Sequence, residues 1–389
     1  MSSVPLTALA VLVLAVPLNC QAATDGAVRD VMDRSFVFST RLYRALASRT
    51  DDNVLVSTLS VWRGLAALLG GTGGTTQEQL LAALGLTGLD PQNIPDALST
   101  LTSGLYLKQG VAVFADPSAQ ASPSFTDFLQ SNYSGDVKSV AFDPPRDAAD
   151  AINVWVRQQI GDEVQDAVAD VDPQAKLLLA TAASYQAQFS QAFNASVTQV
   201  ERFYVDNYHV VTVPMMFRAD KYYLAYDRSL KAGVLKLPMT DGAAALVVLP
   251  DQDVDIGSVE EAVTEEKIRA WIRQLKKTKL EVQLPRFFLD RSYSLKDVLG
   301  SLDMVQVFQD DADLSKLGAA PGLKLSQVLH KAVAAIDESS QGAALGGGAS
   351  VFSTPPPRLT INRPFLFLVY HQSSGGLLLM GRVRDPTKK

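Results

Sequence analysis

Residues 339–357 read SSQGAALGGGASVFSTPPP. The stretch carries no charged side chain, is built mostly of glycine, alanine and serine, and closes on three prolines. It lies between two segments with strand character, KLSQVLHKAVAAIDE (324–338) before it and RLTINRPFLFLVY (358–370) after it. Small side chains cost little to move or to bury, and prolines donate no ladder hydrogen bond, so they stop strand pairing. A long loop that could itself become a strand reads as a proteolytic bait.

Working outward, the chain divides into a helix-rich first half and a strand-rich second half. Residues 26–48 place Val28, Val31, Met32, Phe36, Leu42 and Leu46 at helical spacing. Ser57 and Ser60 open a second helical run through Leu69. A third runs over 75–86, with Thr75 or Thr76 as N-cap and Glu78 in its first turn. Residues 146–167 read as helix with Trp155 and Val156 facing inward. From 177 onward LLLATAASY, VVTVPMMF, YYLAYD, GVLKLP, AAALVVLP and LEVQLPRFFL have the length and near-continuous apolar character of buried strands. EEKIRAWIRQLKK (265–277) interrupts them as an amphipathic helix with Ile268, Trp271, Ile272 and Leu275 on one face. The fold class expected is α+β.

Composition bounds the function. The apolar run 6–18 followed by Cys20-Gln21-Ala22 has the form of a secretory signal over 1–22, although its first residues include no Lys or Arg. The lone Cys20 also permits a lipoprotein signal, for which Pro17-Leu18-Asn19 is a poor attachment box. Cleavage after Ala22 leaves residues 23–389 without cysteine, so stability must come from a large core rather than disulfides. No linker or repeat divides this part, and a single domain is expected. The net charge of −6 argues against nucleic-acid binding, and the run 6–18 is too short to be read as a membrane span. Asn132-Tyr-Ser134 and Asn194-Ala-Ser196 are glycosylation sequons.

Enzyme chemistry finds no support. His209, His330 and His371 are the only histidines and have no metal-ligand spacing, and no G-x-S-x-G occurs. GGTGGTT (70–76) lacks the lysine of a phosphate loop and reads as a turn. Lys267, Arg269, Arg273, Lys276, Lys277 and Lys279 form a basic face for which a heparin-type polyanion is one partner and solvent the plainer one.

Five segments carry a family resemblance. HKAVAAIDESSQGAA (330–344) is similar to the hinge of the serpins, and NRPFLFLVYHQSSGGLLLMGRVRDP (362–386) to their C-terminal signature. NVLVSTLSVWRGLAALL (53–69), FYVDNYHVVTVPMM (203–216) and VLKLP (234–238) resemble further serpin segments in the same order. The resemblance covers nearly the whole chain after the signal. It implies three β-sheets with about nine helices, and an exposed reactive-centre loop at 339–357. It also implies a monomeric, secreted inhibitor of serine proteases of chymotrypsin-like or coagulation type. Such an inhibitor traps its target when cleavage lets the loop insert as a new strand in the central sheet. FYVDNYHVVTVPMMF (203–217) and the bait most resemble the protein Z-dependent members, which makes protein Z a candidate cofactor.

The resemblance assigns roles residue by residue. The hinge is Glu338, Ser339, Ser340, Gln341, Gly342, Ala343, Ala344, Leu345 and Gly346. Glu338 and the Ala343-Ala344 pair fit the family pattern. Ser340 stands for the usual glycine, Gln341 for a threonine or serine, Gly342 for a glutamate, and Leu345 for a small residue. Such departures mark serpins that no longer trap, so a binding, carrier or precursor protein is the rival reading. INRPFLFLVY resembles the non-inhibitory angiotensinogen, but the hormone segment of that relative is missing after the signal. Counting from Glu338 places the scissile bond at Thr354-Pro355, where the following proline blocks cleavage. Local sequence places it at Phe352-Ser353, and Ser353-Thr354 is a third position; Phe352-Ser353 is preferred. Phe352 suits an apolar specificity pocket, and Arg358 lies too far along to be bait. Ser57, Ser60 and His330 match the shutter beneath the central strands. Thr58 replaces its proline, Thr181 its asparagine, and Phe189 the tryptophan at the sheet's upper end. Loss of the asparagine amide is expected to weaken the link between strands.

Overall fold

The apolar spacing seen at 26–48 becomes one face of helix α1 (Leu18–Ala47), and Val28, Val31, Met32, Phe36, Leu42 and Leu46 are all buried. This computed structural model describes residues 18–89, 94–338 and 353–389. Residues 1–17 of the expected signal, hinge residues 339–346 and bait residue Phe352 therefore lie outside the described residues. After α1 come β1 (Val54–Val56), α2 (Thr58–Leu68), α3 (Gly74–Ala83), α4 (Ile94–Thr102), β2 (Leu107–Ala115) and α5 (Pro123–Tyr133). The first half closes with β3 (Asp136–Ser139), α6 (Pro145–Ile160) and β4 (Leu177–Gln186). Then follow β5 (Gln199–Tyr204), β6 (Val210–Asp227), β7 (Ala232–Pro238), β8 (Ala243–Pro250), α7 (Ile256–Ala262) and α8 (Glu265–Gln274). The chain ends with β9 (Lys276–Pro285), β10 (Phe287–Ser294), α9 (Lys296–Gly300), β11 (Gln327–Ile336), β12 (Arg358–Thr360), β13 (Phe365–His371) and β14 (Leu377–Val383).

The strands form two hydrogen-bonded ladders. One is the five-stranded sheet β10-β11-β4-β2-β3. The other runs β1-β14-β13-β8-β7-β6-β9-β12, with β5 on the side of β6. Strand β6 serves two arms: residues 223–227 pair with β7 and residues 210–215 with β5. These arms and the five-stranded sheet give the three sheets expected.

Alternation explains the apolar run of β4. Leu177, Leu179 and Ala183 enter the main core, which also takes in α1, α2 and the larger ladder. Leu178, Ala180 and Ala182 enter a second core beneath α6, together with Ile152, Trp155 and Val156. The sheet is covered on both faces, so both sets of side chains are apolar. Phe114 of β2 meets Trp155 edge-on at 6.0 Å.

Several boundaries differ from the sequence reading. The expected strand LEVQLPRFFL (280–289) is divided between β9 and β10, which lie in different ladders. Helix α3 is capped by Gly73 rather than Thr75 or Thr76, and the Thr76 hydroxyl instead accepts from the Asp313 amide at 2.9 Å. Helix α6 stops at Ile160, because Gly161 takes φ 113° and Asn153 Oδ1 accepts from the amides of Ala167 and Val168. VVTVPMMF and YYLAYD are one continuous strand, β6. Helix α8 ends at Gln274, so Lys276, Lys277 and Lys279 stand on β9 and do not extend a helical basic face. Among the described residues no helix is long and apolar enough to cross a membrane.

Candidate functional site: a closed strand slot and its shutter

Strand β11 ends at Ile336, just before the undescribed segment 339–352. Strands β11 and β4 pair in parallel over nine consecutive positions, from Gln327–Leu178 to Ala335–Gln186. Parallel pairing is somewhat weaker per residue than antiparallel pairing. A strand turning back from the end of β11 would run antiparallel to both neighbours, so its entry exchanges one parallel ladder for two antiparallel ones.

Beneath this pair the expected shutter residues meet. Ser57 caps α2, and its backbone N–H donates to His330 Nε2 at 3.0 Å. Nε2 is therefore the bare nitrogen, and the ring proton sits on Nδ1, which donates to Thr181 Oγ1 at 2.9 Å. The Thr181 hydroxyl passes on a hydrogen bond to the Leu329 carbonyl at 3.3 Å. Thr181 thus links β4 to β11 at the position where the resemblance expects an asparagine. Ser57 Oγ donates to the Leu378 carbonyl at 3.1 Å and lies 2.9 Å from Ser60 Oγ, which donates to Gln109 Oε1 at 2.9 Å. Thr58 Oγ1, where the family has proline, donates to the Leu377 carbonyl at 3.4 Å. Burial pushes the His330 pKa down to about 3, so the ring is neutral at physiological pH.

Sequence reasoning missed Gly64 and Gln109. A Cβ on Gly64 would sit 2.4 Å from the Thr181 methyl, so glycine is what lets α2 lie against β4. At the upper end of the sheet Phe189 is buried, bridges to Met239 and meets Phe193 edge-on at 5.4 Å, filling the site with two rings where the family uses one indole.

Both ends of the loop are pinned. At its start, Glu338 takes a two-pronged contact from Arg286, Nε to Oε2 at 2.8 Å and an Nη2 contact to Oε1 at 2.7 Å. Thr198 Oγ1 donates to the same carboxylate. Although burial acts to raise it, these hydrogen bonds hold the Glu338 pKa below its ordinary value. At the exit, Arg358 grips Glu281 of β9 at 2.8 Å and lies over the Phe217 ring. That pairing gives Arg358 an anchoring role. Ser353, on the far side of the preferred scissile bond, is exposed.

The remaining expectations fall elsewhere. Asn132 and Asn194 are both exposed. The Asn132 amide donates to the Phe128 carbonyl within α5, whereas Asn194 Oδ1 accepts from the Ser196 amide in a tight turn. On α8, Lys267 pairs with Asp227 at 2.9 Å, and Arg269 with Glu265 at 2.7 Å and Asp33 at 2.5 Å. The helix face is therefore largely neutralised. Among the described residues no cluster of His, Cys, Asp and Glu could hold a metal ion.

Comparison with known proteins agrees with this geometry. The family model described as serpin (serine protease inhibitor) matches residues 34–386. The human plasma serine protease inhibitor is 32% identical over 91% of this chain and 89% of its own. The crystal structure of mouse protein Z-dependent protease inhibitor superposes with a TM-score of 0.86 at 27% identity, covering 94% of this chain and 99% of its own. Human thyroxine-binding globulin, solved with thyroxine, superposes with a TM-score of 0.85 at 27% identity, over 92% and 99%.

Proposed function

The chain belongs to the serpin family, and from that premise we propose that it is a secreted inhibitor of chymotrypsin-like or coagulation serine proteases that traps its target by loop insertion. The observation that carries this reading is the closed parallel seam of β11 and β4. It lies beside the point from which the loop departs and rests on a buried, fully hydrogen-bonded shutter. The protease serine attacks the Phe352 carbonyl carbon, the Phe352–Ser353 bond breaks, and the freed Ser353 amine takes up the proton. Residues 339–352, still joined to the protease as an acyl ester, then enter between β4 and β11. Glycine, alanine and serine are the side chains that such a strand can bury at least cost.

Protein Z is a proposed cofactor, supported by the likeness to the mouse protein Z-dependent inhibitor. A heparin-type polyanion would draw on Arg273, Lys276 and Lys277 of this basic set, because Lys267 and Arg269 are paired. Asn132 and Asn194 are proposed glycan sites, and residues 1–22 a cleaved signal. The rival, a carrier that does not trap, is favoured by Gln341 at an early-inserting position and by the likeness to a globulin solved with thyroxine. Phe352→Arg tests the bait. Cleavage should shift from chymotrypsin to trypsin by at least about tenfold, with the released peptide starting at Ser353 for both enzymes. Unchanged preference or another start would remove Phe352 from that role.

A further inference from the structure

The two glycosylation sequons stand in different local structure. Asn132 lies in the last turn of α5, where its side-chain amide donates to the Phe128 carbonyl at 2.9 Å, and Tyr133 after it is buried. Asn194 lies between β4 and β5, and Asn194, Ala195 and Ser196 are all exposed. Its Oδ1 accepts from the Ser196 amide at 3.0 Å, an Asx turn that closes over three residues and needs no distant partner. Its Nδ2 has no hydrogen-bond partner among the described residues.

The turn is held from both sides. Before it, Arg218 Nη1 donates to the Ala192 carbonyl at 2.8 Å, and Phe193 is buried against Phe189. After it, Thr198 Oγ1 donates to the Glu338 carboxylate. Asn194 is therefore an exposed amide on a fixed backbone. Just beyond it the surface turns apolar. Val197 is 42% exposed, and Val200 is 70% exposed, more than any other valine among the described residues. Six residues span at most about 20 Å, so both valines lie beside the sequon. Val200 stands on β5, whose one strand partner among the described residues is β6. An edge strand carrying exposed apolar side chains invites pairing with another chain unless something covers it.

We propose that Asn194 carries an N-linked oligosaccharide more completely than Asn132, and that this glycan covers Val197 and Val200 and blocks the edge of β5 against self-association. The inference rests on the secreted reading above. The donor is an oligosaccharide on a polyprenyl diphosphate. A bond forms between Asn194 Nδ2 and C1 of the sugar, and the C1–O bond to the diphosphate breaks. The diphosphate departs with the electron pair, and one Nδ2 proton is released. A glycan on the Asx turn disturbs no contact, because Oδ1 makes the turn and Nδ2 is spare. A glycan on Asn132 competes with the bond to Phe128. The bulk and polarity of the sugar supply the cover that β5 lacks.

The full-length chain, expressed through a eukaryotic secretory pathway as wild type, Asn194→Gln and Asn132→Gln, provides the test. Enzymatic removal of the sugars in heavy-oxygen water marks each occupied asparagine for mass spectrometry, and Asn194 should be occupied at least about twofold more often than Asn132. Binding of an apolar fluorescent dye and the oligomer fraction in sedimentation should each rise at least about twofold in Asn194→Gln. The thermal midpoint should hold, and Asn132→Gln should match wild type. Adding Val197→Ser and Val200→Ser to Asn194→Gln should return both readouts to the wild-type level, which a folding defect would not allow. If Asn194→Gln fails to leave the cell, enzymatic removal of the sugar from folded Asn132→Gln protein gives the same comparison. A bare Asn194 in secreted protein, or dye binding and oligomer fraction unchanged by loss of its glycan, overturns the proposal. A chain kept inside the cell with residues 1–22 uncleaved defeats the secreted reading itself, and the proposal with it.

Discussion

His330 must remain neutral for the shutter to exist, because a protonated Nε2 cannot accept from the Ser57 amide. Its pKa is about 3 in the folded protein and 6.5 when unfolded. Between those values the unfolded chain binds the extra proton, so stability falls as pH drops below about 6.5 and this contribution levels off below about 3. Thermal midpoints of wild type and His330→Gln, compared between pH 7 and pH 5 where few carboxylates titrate, should show the steeper fall in wild type; parallel curves would refute the assignment. Gly64 gives a second test at the same scale. Gly64→Ala puts a methyl against Thr181 and should cost about 1–3 kcal/mol in denaturant unfolding. A neutral or stabilising result would mean that α2 shifts freely over β4. Ser57, Ser60 and His330 were legible because their types and spacing match a family pattern. The bonds of Thr181 were not, since they depend on where β11 places a ring 149 residues away.

At the scale of elements, periodicity located α1, α2, α3, α6, α8 and most of the strands from β4 onward, but left α4, α5, α7, α9, β1, β2, β3 and β5 unread and misplaced several ends. It carried the helix at 265 through Leu275 into Lys276 and Lys277, because charged residues alternating with apolar ones fit a helix face and a strand equally well. It carried α6 to residue 167, because the chain leaves the helix at a glycine that does not break the apolar pattern. The hinge was the reverse case: its departures were plain in the sequence, while their consequence depends on a seam that only the paired strands reveal. Gln341 is larger than the threonine or serine of the family pattern, and under the proposed insertion it would enter early between β4 and β11. Restoring the family pattern with Ser340→Gly and Gln341→Thr should speed insertion. The number of inhibitor molecules consumed per trapped protease should then fall toward one. An unchanged stoichiometry would show that the hinge is not limiting. The clasp of Arg286 and Thr198 on Glu338 was beyond sequence reading for a related reason, the partners being 52 and 140 residues distant.

For the whole molecule, the account joins three things: a loop of small side chains, a seam that is parallel and closed, and a buried polar latch under that seam. Sequence order alone suffices to propose the loop and the class of fold. The closure of the seam and the latch geometry come from long-range pairing. The central claim is that cleavage at Phe352 lets the loop enter the seam with the protease still attached. The direct measurement is a denaturing gel of the purified protein after incubation with chymotrypsin, with mass spectrometry of the released C-terminal peptide. The account predicts a complex that survives denaturation and a peptide beginning at Ser353. Quantitative cleavage with no surviving complex would contradict it and leave a serpin whose loop is only a substrate.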